Sequence, residues 1–294
     1  HYKNSIRFYY MNKSQIEALI SLLEDPDKEI FRHVKEKLIE LGPLSLPMLE
    51  LAWESNFDSL IQERAENIIG EIQFKDSKNK IKDWIKSDKK DLLDAWLIIS
   101  KYQYPDLDIS IINKQVDVLV NQVSSEFKEG DKAIEKVMKM NKVLFKFEKF
   151  KGNFSNYHSP ENSFINDVLK VKKGNPLSLS LLYLILSEKL KLPIMGVNLP
   201  KHFIVAYISD DITDIDPVQF YINPFSLGAI ITRKDVESFL TKENIKHHSY
   251  YFTACGNKEI IKRIVNNLLF SFSRQGKKEK TEEMLEFLRL FDEN

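Results

Sequence analysis

The segment GNPLSLSLLYLILSEKLKLP, residues 174–193, sets the strongest limit on how this chain can fold. From Leu177 to Leu186 apolar side chains leave no polar face at helical spacing, so a helix there must be enclosed by other elements. The run is about half the roughly 20 apolar residues a membrane span needs, and it contains serines and a tyrosine, so it reads as a buried helix. Asn175 is a good N-cap, Pro176 stands at the first helical position, where its missing N–H costs little, and Gly174 supplies a flexible turn before them. The N-terminus of such a helix carries partial positive charge, which lowers a nucleophile's pKa or stabilises an oxyanion.

Short apolar or β-branched runs follow at 194–197, 203–208, 220–222 and 229–231, bounded by Asn, Asp, Pro and Gly in the manner of strands. A polar turn, Asn198-Leu199-Pro200-Lys201, delivers a lone histidine, His202, to the start of the second run. Helical segments at 116–127 and 134–147 precede the buried helix, and helices followed by a cluster of strands predict an α+β fold with a small antiparallel sheet. Beyond Gly256, Ile260, Ile261, Ile264, Leu268 and Phe272 form one helical stripe and Met284, Leu285, Leu288 and Phe291 a second. Gln275-Gly276 separates them, which predicts a C-terminal helical hairpin suited to packing or docking.

From Ser14 to about Tyr102 the pattern is helical throughout. Ser14 and Glu17 have the spacing of a capping box, and Asp25-Pro26 breaks the helix they would open. Ile30, Val34, Leu38 and Leu41 share a helical face, and a shift of 31 residues maps them onto Ile61, Ala65, Ile69 and Ile72. Such pairs bury their stripes only by stacking on neighbours, as in α-solenoids. LLEDPDKEIFRHVKEKLIELGPLSLPML, with its Asp-Pro turn, charged amphipathic helix and Gly-Pro exit, resembles HEAT-type repeats. Ile81, Trp84, Ile85, Leu92, Leu93, Trp96 and Leu97 extend the array. The expected division is a HEAT-like helical repeat domain over 11–103, a core over 104–251 and a helical hairpin over 252–294.

Lys plus Arg equals Asp plus Glu, 43 each, so the chain has no basic surplus with which to neutralise a phosphate backbone, and no nucleic-acid partner is expected. One cysteine, Cys255, excludes an intrachain disulfide framework and fits a reducing compartment, so the expected location is cytoplasmic. No membrane association is expected. The first residues lack a signal-peptide pattern, and Met11 looks like a start with residues 1–10 as an upstream extension.

GNPLSLSLLYL, GVNLPKHF and INPFSLG, with YPDLD at 104–108 and NYHSPENSFINDVL at 156–169, resemble the bacterial transglutaminase-like family that includes an invasion-regulator protein. The resemblance runs from about Leu92 to Leu240. It implies a core of papain-like ancestry, in which a cysteine opens the buried helix, a histidine begins a following strand and an aspartate on the next strand orients that histidine. Carried over by position, the cysteine falls on Pro176, the histidine on His202 and the carboxylate on Asn223. Asn can hold an imidazole in one tautomer through its amide oxygen, but proline offers no atom for covalent acyl transfer. Ser178 is the nearest substitute by position, though two residues of helix rotate it by about 200 degrees.

Other candidates belong to binding or structure. Asn175, His158 and Asn162 lie in resemblance motifs, and Asn162 is placed to cap a helix over 163–170. His247-His248 lacks ligands at metal spacing, Asp211, Asp214 and Asp216 lack the glycine and distal glutamate of a calcium loop, and no phosphate-binding glycine loop is present. No metal or cofactor is expected. The function expected is a non-catalytic protein that binds a protein or peptide partner. The alternative is a hydrolase or amide-bond enzyme that uses His202 and Asn223 with a serine or an activated water.

Overall fold

The computed structural model describes residues 13–209 and 217–292, and these fall into two units, up to Lys80 and from Ile81 onward. The first is set by its helix breakers. A helix over 13–21, α1, ends before Pro26, with Asp25 already extended at φ −61° and ψ 127°. Asp27 then accepts the Glu29 N–H at 2.8 Å and opens α2, Lys28–Leu41. Gly42 closes α2 at φ +62°, a conformation that costs glycine little. α3, Leu46–Ser55, and α4, Ser59–Lys86, follow. Val34, Leu38, Leu49, Ile61, Ala65, Ile68 and Ile72 form the core with Ile16 and Leu23.

Three details differ from the periodic reading. Ile30 is 37% exposed, because the packed stripe of α2 begins at Val34. On α4 the fully buried residue is Ile68, with Ile69 only packed against its flank. The first helix is already formed at Lys13, so Ser14 lies inside it and does not cap it.

The second unit takes in the last residues of α4 and continues with α5, Leu92–Gln103, and α6, Ile109–Glu126, which starts seven residues before its sequence prediction because Asp108 accepts the Ser110 N–H at 2.8 Å. Trp96 of α5 belongs to this unit, its indole N–H donating to Ser163 O at 2.7 Å. α7, Ala133–Asn141, passes into a wide helical turn over Lys142–Phe147. Next come β1, Lys151–Gly152, α8, Ile165–Val171, and β2, Lys173–Gly174, with β1 and β2 pairing in parallel. α9, Pro176–Lys189, is buried at every position from Pro176 to Ser187, as its sequence requires. It packs against β3, Ile194–Val197, and β4, Ile204–Ile208.

β5, Val218–Asn223, and β6, Ala229–Ile231, complete an antiparallel sheet of order β3-β4-β5-β6. Its register pairs Val197 with Ile204, Val205 with Ile222 and Asn223 with Ala229. α10, Arg233–Lys242, absent from the sequence reading, adds Val236 and Leu240 to the core on that sheet. α11, Asn257–Arg274, and α12, Lys278–Asp292, form the predicted helical pair, and α11 also packs on α9 and α5. The described chain is thus mostly helical with one small antiparallel sheet. Asp211, Asp214, Asp216, Met11 and residues 1–10 lie outside the described residues.

Candidate functional site

At the head of α9 the Asn175 side chain accepts the Ser178 N–H at 2.9 Å, while Asn175 N–H donates to Ser178 Oγ at 3.0 Å. Two of the orphan amide groups of the helix start are thereby satisfied. Asn175 Nδ2 also donates to Ser163 Oγ at 3.2 Å, which ties α9 to the segment before α8. Gly174 serves this cap through its missing side chain and not as a flexible turn. It lies in β2, and a Cβ there would sit 2.5 Å from Ser178 Oγ. Ser178 is fully buried and bound into the cap, away from the lining of the cleft described next, so the structure does not place it as a nucleophile.

His202 is delivered by a β-turn in which its N–H donates to Leu199 O at 3.3 Å. Pro200 holds the second position and Lys201 the third at φ +60°. Two strands later, β5 ends at Asn223, whose side chain hydrogen-bonds the His202 imidazole. Asn223 Oδ1 also accepts the Ser226 N–H at 3.3 Å, which fixes the amide at the strand end. Phe225 meets the imidazole at 6.2 Å and 82°, and Phe239 lies 5.8 Å from it. Burial holds His202 below the ordinary histidine range, the Asn223 hydrogen bond opposes this, and the positive charge of Arg263 adds to it.

The half-buried imidazole and Pro176 line one cleft of about 320 Å³. Asn175 and Leu177 contribute from α9, Lys201 and Phe203 from the turn and the start of β4, and Tyr157 and His158 from the loop after β1. Arg263, Asn267, Phe270 and Ser271 come from α11. His158 is exposed and meets Tyr157 edge-on at 5.0 Å and Phe270 at 5.3 Å.

Asn162 is close by but does not cap α8, whose N-cap position is Phe164 with no side-chain bond. Its amide instead donates to Asn156 O at 2.6 Å and Tyr157 O at 3.1 Å and accepts from Asn153 Nδ2 at 2.8 Å. A buried amide spending its hydrogen bonds this way pins the loop that carries Tyr157 and His158.

Arg263, Asn267 and Phe270 were missed in the sequence, where α11 reads as packing alone. Their spacing of four and three puts them on one helical face beside the apolar stripe, and that second stripe is the signal that was available. Arg263 Nη1 donates to Asn198 Oδ1 and to Leu199 O, the latter at 2.6 Å, so it braces the turn that carries His202. Its guanidinium also lies 5.6 Å from the centre of the Phe203 ring.

Cys255 lines a separate cavity with Tyr250, Tyr251 and Glu259, and burial, with a smaller push from Glu259, raises its thiol to about 12. That thiol is protonated at neutral pH and outside the cleft, so it is no substitute nucleophile. His247 Nε2 lies 3.1 Å from Thr241 Oγ1, and His248 stacks on Tyr250 at 5.3 Å. Among the described residues no cluster of three metal-binding side chains occurs, and no helix is long and apolar enough to cross a membrane.

This arrangement of buried helix, histidine turn and asparagine-ended strand lies within a match to the transglutaminase-like superfamily over residues 111–266, and the chain belongs to that superfamily. A UPF0162 protein of Xylella fastidiosa is 33% identical over 127 residues, 43% of this chain and 45% of the relative. F-box only protein 21 of Homo sapiens is 30% identical over 217 residues, 64% of this chain and 33% of the relative. A UPF0162 protein of Vibrio cholerae is 33% identical over 91 residues, 31% of this chain and 32% of the relative. The chain therefore spans less than half the length of each of these curated relatives. No solved structure matches it.

Proposed function

We propose that this is a transglutaminase-like protein that has lost the nucleophilic cysteine and binds a protein or peptide partner in the cleft at the head of α9, without acyl transfer. One observation carries the reading: Pro176 and His202 line the same cleft, so the residue that opens the buried helix beside the histidine has no attacking atom. His202 and Asn223 then hold the positions of a catalytic base and its orienting partner. On this reading the cleft, kept open and rimmed by Tyr157 and Phe270, is used for recognition.

The N-terminal unit is, in this proposal, a HEAT-like docking array, with a domain division at 11–103, 104–251 and 252–294 and kinship to the invasion-regulator type. The reading invokes no cofactor, metal or nucleic acid, and the single cysteine fits a cytoplasmic setting. Co-purification with mass spectrometry tests it. A partner retained by the full chain should be lost from a Tyr157→Ala/Phe270→Ala variant, or from a chain lacking residues 11–80, which removes the first unit and leaves α5 in place. Retention by both would remove the basis for cleft and array as binding surfaces.

One observation favours a second reading. Ser271, a serine, lines the same cleft as His202, whose imidazolium form the Asn223 side chain favours. A hydrolase or amide-bond enzyme would use His202 to activate water or that hydroxyl. Ser178, committed to the helix cap, has no part in it.

A further inference from the structure

The charges around the cleft do not balance. Among the residues that line it are a guanidinium, an ammonium and two imidazoles, and no carboxylate. Lys201 is answered, since its ammonium lies 3.1 Å from Glu243 Oε2. Arg263 is not: its hydrogen bonds go from Nη1 to two neutral oxygens, Asn198 Oδ1 and Leu199 O, and no carboxylate among the described residues pairs with it. Nε and Nη2 donate to no described residue, although the guanidinium is half-buried. Burial pulls its pKa down from the ordinary value, the mark of a cation removed from water without a counter-ion. A planar fork with free donors suits a carboxylate, which can accept two parallel N–H bonds. Beside it Tyr157 and Phe270 are 37% and 52% exposed, so an aromatic surface for an apolar neighbour adjoins the free donors.

The geometry points to the partner's chemistry: the cleft takes a peptide segment whose carboxylate is held by Nε and Nη2 of Arg263, with an adjacent apolar side chain on Tyr157 and Phe270. This rests on the reading of the cleft as a peptide-binding site and specifies what it selects. The carboxylate has two sources, an acidic side chain or a free C-terminus, and both present the same two oxygens to the fork.

The test is a titration of the full chain, followed by NMR chemical shifts, with three probes: acetyl-Ala-Phe-Glu-Ala-amide, its Gln counterpart, and acetyl-Ala-Phe with a free C-terminal acid. At least one acidic probe should bind about tenfold more tightly than the neutral one, and should shift the Arg263 Nε–H resonance and the rings of Tyr157 and Phe270. Tighter binding by the Glu peptide assigns the source to a side chain, and tighter binding by the free acid assigns it to a C-terminus. Arg263→Gln should reduce the preference to within about twofold, and Arg263→Lys, which keeps the charge but loses the fork, should restore it only in part. The wild-type comparison decides the question even if both variants unfold. Equal binding of all three probes overturns this inference and leaves peptide binding standing. Binding by none of the three overturns the inference and the peptide reading of the cleft together.

Discussion

Placing a thiol where the buried helix begins gives a quantitative test of what position 176 is. In a Pro176→Cys chain that also carries Cys255→Ser, the new side chain opens α9 and faces the cleft that His202 lines. Two influences compete. Desolvation raises a thiol, and Cys255 shows how far that goes in this protein, to about 12. Against it stand the helix terminus, at about 0.3–1 kcal/mol and up to about 2 in buried geometry, and the Arg263 cation on the same cleft. At about 1.4 kcal/mol per pKa unit, the helix terminus alone is worth roughly 0.2 to 1.5 units. A hydrogen bond from His202 and the Arg263 charge add to this, so the thiol should titrate below the value of about 12 that burial chiefly gives Cys255, by more than the helix terminus accounts for.

The assay is the rate of iodoacetamide alkylation against pH, with loss of N1 proline at a cost of under about 1 kcal/mol checked by thermal melting. Adding His202→Ala should raise the midpoint. A thiol that titrates as high as Cys255, at about 12, or one indifferent to His202→Ala, would refute the assignment of position 176 to the nucleophile's place.

Further outcomes follow from the same geometry. Asn175→Ala removes the cap on Ser178 N–H and the bond to Ser163, so denaturant melts should show a loss of about 1–3 kcal/mol, whereas a loss under about 0.3 would mean the cap is idle. Because His202 is depressed below its ordinary 6.5, the unfolded chain takes up a proton that the folded chain refuses as pH falls below that value. Stability should therefore decline with acid at up to about 1.4 kcal/mol per pH unit from this group, and a His202→Gln chain compared between pH 7 and 5 should lack that increment. Asn162→Ala should loosen the loop over 153–158, seen as faster amide exchange at Asn156 and Tyr157 with α8 protection unchanged; loss of α8 protection first would return Asn162 to the capping role.

The buried helix was legible because ten consecutive residues without a polar face admit only one environment. The turn that carries His202 was legible in Pro200 and the β-branched run after it, whereas Asn223 was singled out by its place in the resemblance motif INPFSLG. What escaped depends on partners remote in sequence. β1 and β2 are two residues each, too short for any periodicity, and exist because Lys151 and Gly152 meet Lys173 and Gly174. Asn162 looked like a cap by position, yet three hydrogen bonds to residues 153–157 decide its role. Gly174 is a matter of space against Ser178 Oγ, which no turn propensity encodes. The stripe of Arg263, Asn267 and Phe270 was hidden by the stronger apolar stripe next to it.

The central claim is that a catalyst's position is kept here without the catalyst's reaction. Turnover of a panel of acyl donors, amides and peptides by wild type and by His202→Ala tests it most directly, with Ser271→Ala as the companion variant. The account predicts equal background rates in all three chains and no covalent adduct by intact mass. Turnover of any substrate that His202→Ala reduces by about tenfold or more would contradict it.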